Sequence, residues 1–140
     1  MANIGYGISL LVSDVSPDIV PDNAIGEIMS FTPPSPSRDV IDVTHAASAG
    51  MAREFITGLI DFGEASFEMI WDAGSATDTL LRTISLERTP RTYRASFSQY
   101  TPAKTITFVA FMTNFERAIP MDDKMTANIT LKVTGSPVYA

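Results

Sequence analysis

The stretch MTANITLKVT, residues 125–134, alternates between apolar and polar side chains over ten consecutive positions. Successive side chains of a β-strand point to opposite faces of its sheet. The alternation therefore predicts a strand with one face on a core, made by Met125, Ala127, Ile129, Leu131 and Val133, and the other face in water.

The same period of two recurs along the chain. Residues 8–12, 64–71, 92–98 and 105–112 all alternate, and two further strands are expected near residues 25–31 and 39–43. About seven short strands at this spacing are typical of a β-sandwich or barrel. The sequence predicts a mainly β fold.

One helix interrupts the strands. Ser75 and Asp78 have the spacing of a capping box, and Leu80, Leu81 and Ile84 follow as one apolar stripe. Pro90 marks its end. We expect a single α-helix that flanks the sheets and covers an open end or face of them.

Composition limits the class of protein. A chain of 140 residues with 45% hydrophobic content predicts one ordered domain with a core, over residues 1–140. No run of 18 apolar residues is present, so no membrane insertion is expected. The beginning of the chain lacks the pattern of a signal peptide, which predicts synthesis in the cytoplasm. The absence of cysteine excludes disulfides, thiol nucleophiles and thiolate metal sites.

Charge is distributed unevenly between the two parts of the chain. Residues 1–80 have a balance of −10 and residues 81–140 a balance of +4, within a net charge of −6. The two parts can interleave so that their charges mix on one surface. Alternatively, one face is acidic and another basic, which favours head-to-tail association of identical subunits. No basic cluster is dense enough to indicate tight nucleic-acid binding.

The sequence offers little catalytic chemistry. Its one histidine, His45, lies near Ser48, Asp39 and Asp42, so a small hydrolase is one hypothesis, but no spacing marks a triad. Glu64 and Glu68 are expected about 13 Å apart along a strand, too far to act as a pair. We expect no enzyme activity, no metal and no cofactor.

Three segments resemble one protein family. SRDVIDVT at residues 37–44, REFITGLIDFGE at 53–64 and ITLKVTGSP at 129–137 are similar, in this order, to the major tail tube proteins of long-tailed, non-contractile bacteriophages. The resemblance extends over nearly the whole chain. It implies a single tail tube domain over residues 1–140, without the C-terminal immunoglobulin-like domain that some members add.

The resemblance also implies a function. Members form homohexameric rings whose sheets join into a barrel, and the rings stack head to tail into a hollow tail tube through which the phage genome passes during ejection. The implied partners are other copies of the chain, the tape measure protein, the tail tip or distal tail proteins and the tail terminator, with DNA in transit but not specifically bound. The implied location is the virion tail, assembled in the cytoplasm of the bacterial host.

A long, weakly periodic segment at residues 45–61 is the predicted loop that touches neighbouring copies, because such loops usually contact something else. Its alternative is a short helix folded back on the domain's own core. The N-terminal residues Ala2, Asn3 and Ile4 are predicted to form a second arm. The predicted contact residues of the loop are Met51, Arg53, Glu54, Phe55, Ile56, Leu59 and Ile60.

The wall of the lumen is predicted to include Glu64, Ser66 and Glu68, which share one strand face. Negative walls repel phosphate, so DNA slides without sticking. A different function remains open from the residues alone: a monomeric β-sandwich that binds a ligand or a carbohydrate would use the same loop for its target.

Overall fold

The computed structural model describes residues 8–13, 21–26, 28–100 and 102–140. The elements in chain order are β1 (Ile8–Ser13), β2 (Pro21–Ile25), β3 (Ile28–Thr32), β4 (Ser37–Asp42), β5 (Phe55–Asp61), β6 (Glu64–Ile70), α1 (Ala76–Ser85), β7 (Arg91–Phe97), β8 (Lys104–Ala118) and β9 (Thr126–Tyr139). A single 3-10 turn, Ala49–Met51, lies between β4 and β5.

Seven strands form one antiparallel sheet in the order β2-β1-β7-β8-β9-β6-β3, while β4 and β5 pair separately. The sheet folds over on itself. Phe31 on β3 and Phe108 on β8 are three strand spacings apart, about 14 Å in a flat sheet. Their ring centroids are nevertheless 6.4 Å apart. The bend encloses the core between the two halves of a single sheet.

The core follows the alternation of the sequence. Each strand of the main sheet turns one set of side chains inward, and α1 adds Leu81 and Ile84. Helix α1 packs on β8. It begins where predicted, because the Ser75 hydroxyl accepts a hydrogen bond from the Asp78 amide at 3.1 Å. In the described part of the chain, no helix is long and apolar enough to span a membrane.

The mainly β fold with one flanking helix is confirmed, although two strand boundaries were wrong. The predicted strand at residues 25–31 is two strands, because β2 ends at Ile25 and β3 begins at Ile28. Gly26, which brings no side chain to pack, lies between them. The strand predicted at residues 39–43 begins earlier, at Ser37, and ends at Asp42.

The segment at residues 45–61 differs more from its prediction. Its second part is not a loop, because Phe55–Asp61 forms β5 and pairs with β4. A strand forms here without a buried face, since the antiparallel ladder itself satisfies the backbone N–H and C=O groups. The alternative of a helix packed on the domain's own core is wrong, because the turn Ala49–Met51 has no buried residue.

Candidate subunit interfaces

The hairpin of β4, its tip and β5, which we call the arm (residues 37–61), is exposed along its whole length. None of its residues is buried. Met51 is 98% exposed and Leu59 92% exposed, values that an apolar side chain reaches only when nothing covers it. The other large apolar side chains that the arm leaves exposed are Val40, Ile41, Val43, Phe55, Ile56 and Ile60.

Both faces of the arm are apolar. Directly opposed residues of an antiparallel pair share a face. Asp42 pairs with Phe55, and Ile41 pairs with Ile56, so Phe55 and Ile56 point to opposite sides. A two-stranded hairpin is marginally stable by itself. The arm is therefore a surface that needs contacts on both sides.

Hydrogen bonds order the tip of the arm. The Glu54 amide donates to Thr44 Oγ1 at 2.7 Å, and the Val43 amide donates to the Glu54 carbonyl at 2.9 Å. Met51 adopts a positive φ of 57°, which is uncommon for a residue with a side chain. Strain of this kind concentrates at functional segments. The tip is a defined surface that presents Met51 to its surroundings.

The base of the arm is fastened to the main sheet. The Asp61 carboxylate accepts hydrogen bonds from the Gly63 amide at 2.8 Å and from Lys132 Nζ at 3.0 Å. These two contacts, the amide first, hold the pKa of Asp61 below its usual value. Gly63 has a φ of 68°, and a Cβ there would lie 2.9 Å from the carbonyl oxygen of Ser35. Only glycine fits at this corner, which sets the direction in which the arm leaves the sheet.

A polar sheet surface forms the second candidate interface. Glu64, Ser66 and Glu68 lie on the face of β6 opposite to its buried residues. Their cross-strand neighbours on β9 are Lys132, Thr130 and Asn128, so the face is hydroxyl-rich and carries both signs of charge. A further acid, Glu116 on β8, pairs with Asn128. The side chains of this face are suited to hold water rather than an apolar partner.

Two open edges border this polar surface. Residues 104–110 of β8 pair with β7, whereas residues 111–118 pair only with β9 in the described part of the chain. At the other side, β3 is the last strand of the sheet. The four-stranded part β8-β9-β6-β3 therefore presents unpaired backbone groups along both borders. Such edges are templates for pairing with another chain.

His45 does not form a nucleophile–base pair with Ser48. Its Nδ1 accepts a hydrogen bond from the Ala47 amide at 3.1 Å, and its Nε2 lies 3.5 Å from Glu54 Oε2. The Ser48 hydroxyl donates to the same Glu54 oxygen, not to the imidazole. These groups order the tip of the arm, and the hydrolase hypothesis finds no support in their geometry. Among the described residues, no group of three acids or histidines is arranged to hold a metal ion.

The predicted contact residues of the loop all lie on the arm, from its tip at Met51 to Ile60 near its base. Sequence reasoning missed Val40 and Ile41 on β4, although two adjacent apolar residues in a short strand indicate that both faces need cover. The second predicted arm, with Ala2, Asn3 and Ile4, lies outside the described residues.

Comparison with known proteins agrees with this architecture. Residues 14–140 match the family model described as Lambda phage tail tube protein. No curated protein matches the chain. An exposed arm and two open sheet edges border a single core in the part of the chain that the structure describes. The chain belongs to the Lambda phage tail tube protein family, and it is a structural protein of the virion tail.

Solved structures of tails share the fold. A subunit of the tail of an empty gene transfer agent particle, computed with C6 symmetry, superimposes with a TM-score of 0.76 at 14% identity, over 99% of each chain. The sheath/tube terminator of an extracellular contractile injection system, PVC, superimposes with a TM-score of 0.73 at 15% identity, over 100% of this chain and 97% of the other. The SPP1 tail tube superimposes with a TM-score of 0.67 at 9% identity, over 97% of this chain and 77% of the other.

Proposed function

We propose that six copies of the chain join edge to edge into a ring, and that rings stack head to tail into a hollow tube that conducts DNA during ejection. The arm is the observation that carries this proposal. Its apolar side chains are exposed on both faces, and in water that exposure is unfavourable by about 25 cal/mol per Å². Neighbouring copies in the next ring would cover it.

Within a ring, β3 of one copy would pair with residues 111–118 of β8 in the next. Both edges border the same four-stranded part of the sheet, so this pairing extends the sheet in one direction with each added copy. A heterologous contact of this kind closes into a ring when its rotation divides a full turn. The C6 symmetry of the similar gene transfer agent tail supports six copies.

The polar surface with Glu64, Ser66 and Glu68 would line the lumen. It is the face that the core does not use, and its side chains are polar and include the acids Glu64 and Glu68. The acids Glu64 and Glu68 would keep DNA from adhering to the wall. Binding partners of the finished tube would be the tape measure protein inside it and the tail tip and terminator proteins at its two ends.

Electron microscopy tests the proposal. Purified protein is examined by negative stain at low and at high concentration, alone and after co-expression with the tail tip proteins of the same phage. Hollow tubes of uniform diameter are expected, with six-fold symmetry in end views. Monomeric particles under every condition, co-expression included, would contradict the proposal and favour a monomeric ligand-binding module.

A further inference from the structure

A cleft of about 260 Å³ separates α1 from residues 111–118 of β8. Two arginines line it from opposite sides, Arg82 on α1 and Arg117 on β8. Guanidinium groups are donors that proteins use to bind carboxylates. The strand pairing and the core packing described above do not depend on this cleft.

Arg117 is held in place without a carboxylate partner. Its guanidinium carbon lies 5.5 Å from the centroid of the Trp71 ring and 5.3 Å from that of Phe115. It makes no ion pair within the described part of the chain. Stacking on two aromatic rings orders the guanidinium group while leaving its N–H donors available.

The positive charge of the cleft is only partly balanced. Arg82 Nε lies 3.3 Å from Asp78 Oδ2, and Asp78 is 3% exposed. The Asp78 carboxylate also accepts hydrogen bonds from the Trp71 indole at 2.7 Å and from the Gly74 amide at 3.2 Å. One carboxylate with its oxygens already occupied thus faces two arginines, and the cleft retains one positive charge.

Arg117 and the arm lie at opposite ends of the same strands. Strand β6 begins at Glu64, next to the base of the arm, and ends at Ile70, next to Trp71. Seven residues of strand extend about 20 Å. Met69 and Arg117 both pair with Ala127, so Arg117 lies at the far end. In head-to-tail stacking, the arm of one copy meets the end of the next copy at which Arg117 lies.

The arm has the complementary charge. It contains four acids and two bases, a balance of −2. Asp61 is engaged at the base by Lys132, Asp42 accepts from the Thr44 amide, and Glu54 accepts from Ser48. Asp39 is exposed, and its side chain makes no hydrogen bond or ion pair within the described residues.

We propose that the cleft of Arg82 and Arg117 binds an acidic side chain on the arm of a second copy in the adjacent ring. The inference rests on the proposed function, since only head-to-tail stacking brings the two ends together. Asp39 is the first candidate for the bound acid, and Asp42 and Glu54 are the other two. The apolar side chains of the arm contribute the buried surface of the contact, and the ion pair fixes the position at which the arm binds.

Charge reversal tests this contact. The critical concentration for tube formation is measured by sedimentation and negative-stain microscopy for Arg117→Glu, and for Arg88→Glu as a matched control in the exposed segment after α1. Facing like charges cost several kcal/mol, so Arg117→Glu is expected to raise the critical concentration at least about tenfold. Arg88→Glu is expected to leave it unchanged.

The partner is then identified by reversing both charges. Asp39→Arg, Asp42→Arg and Glu54→Arg are each combined with Arg117→Glu, and one combination is expected to lower the critical concentration back toward that of the original chain. Circular dichroism checks that every variant is folded. If Arg117→Glu unfolds, Arg117→Met, which keeps the packing on Trp71, replaces it with Arg88→Met as control.

Each outcome is decisive. Normal tubes from Arg117→Glu, or a loss that none of the three reversed acids restores, would overturn the inference and leave the proposed function intact. Failure of the unmodified chain to form tubes under any condition would count against the proposed function itself.

Discussion

The indole Nε1 of Trp71 donates a hydrogen bond of 2.7 Å to Oδ1 of Asp78. This contact joins the end of β6 to the first turn of α1, where Asp78 also accepts from the Gly74 amide and pairs with Arg82. Helix α1 is thus attached to the sheet by a polar contact at its beginning and by Leu81 and Ile84 along its length.

Loss of this hydrogen bond is expected to destabilise the domain in a pH-dependent way. Trp71→Phe leaves the buried Asp78 carboxylate without one of its hydrogen bonds, which costs about 1–3 kcal/mol. The pKa of Asp78 is lowered, first of all by the Trp71 hydrogen bond. A carboxyl group whose pKa is lower in the folded state stabilises the fold above its unfolded pKa of about 3.9, and this contribution is lost as the pH falls through the folded value.

The measurement is urea unfolding, followed by circular dichroism, of the original chain and Trp71→Phe at pH 7 and near pH 3. The difference between the two is expected to shrink in acid. A difference of the same size at both pH values would show that lost packing, and not the carboxylate, is responsible. Both proteins are best studied in an arm variant that stays dispersed.

Substitutions in the arm are expected to give a variant that stays monomeric. Phe55→Ser combined with Leu59→Ser removes two exposed apolar side chains that contribute nothing to the core, so the free energy of unfolding of the monomer should change by less than about 0.5 kcal/mol. Tube formation should be lost, because the buried area in the next ring is lost. Sedimentation and microscopy check this, with Leu86→Ser, an equally exposed site after α1, as control. Tubes at normal yield would remove the arm from the stacking contact.

Charge on the lumen wall is expected to affect DNA and not assembly. Glu64→Lys with Glu68→Lys should leave tubes intact, since neither side chain makes a hydrogen bond or ion pair in the described part of the chain. The tubes should then retain DNA that the original tubes release, with a salt dependence typical of phosphate contacts. Asp122→Lys with Asp123→Lys, in the turn before β9, changes the charge equally and serves as control. Equal DNA retention by both pairs would mean that overall charge, and not the wall, determines it.

The buried ion pair between Arg91 and Glu87 is expected to contribute strongly to the stability of the domain. Arg91 is 4% exposed and donates from Nε to Glu87 at 2.8 Å and from Nη1 to the Ser13 carbonyl at 3.0 Å. Arg91→Ala leaves Glu87 unpaired and should lower the free energy of unfolding by about 3–5 kcal/mol. Arg91→Met with Glu87→Leu should recover most of the loss in urea unfolding. A double variant as unstable as Arg91→Ala would show that the other contacts of Arg91, among them the Ser13 carbonyl, matter more than the pair.

The alternation of side chains predicted much of the fold. It identified β1, β6, β7, β8 and β9, and it assigned Ala65, Phe67 and Met69 to the core and Glu64, Ser66 and Glu68 to the opposite face. The helix followed from Ser75 and Asp78 in the same way. These features depend on neighbours within a few positions, which is the range over which backbone geometry orients side chains.

The arm is the part of the fold that the alternation of side chains did not predict. Residues 55–61 have no clear period because both faces of β5 are apolar and neither contacts the core, so the segment was predicted as a loop. Its strand exists because β4 offers a partner edge. Contact residues such as Phe55 and Leu59 could still be predicted, since an apolar side chain needs cover whatever its backbone does.

By itself the sequence determined the strands with one buried face, the face that each of their side chains takes, the helix and the family that the chain resembles. Only the tertiary structure decided the order of the strands, the fold of the sheet over its core and the pairs that lie far apart in sequence: Asp61 with Lys132, and Arg82 across a cleft from Arg117. The reason is physical. A side chain's direction depends on its own backbone, whereas its partner depends on which distant strands pair and in which register.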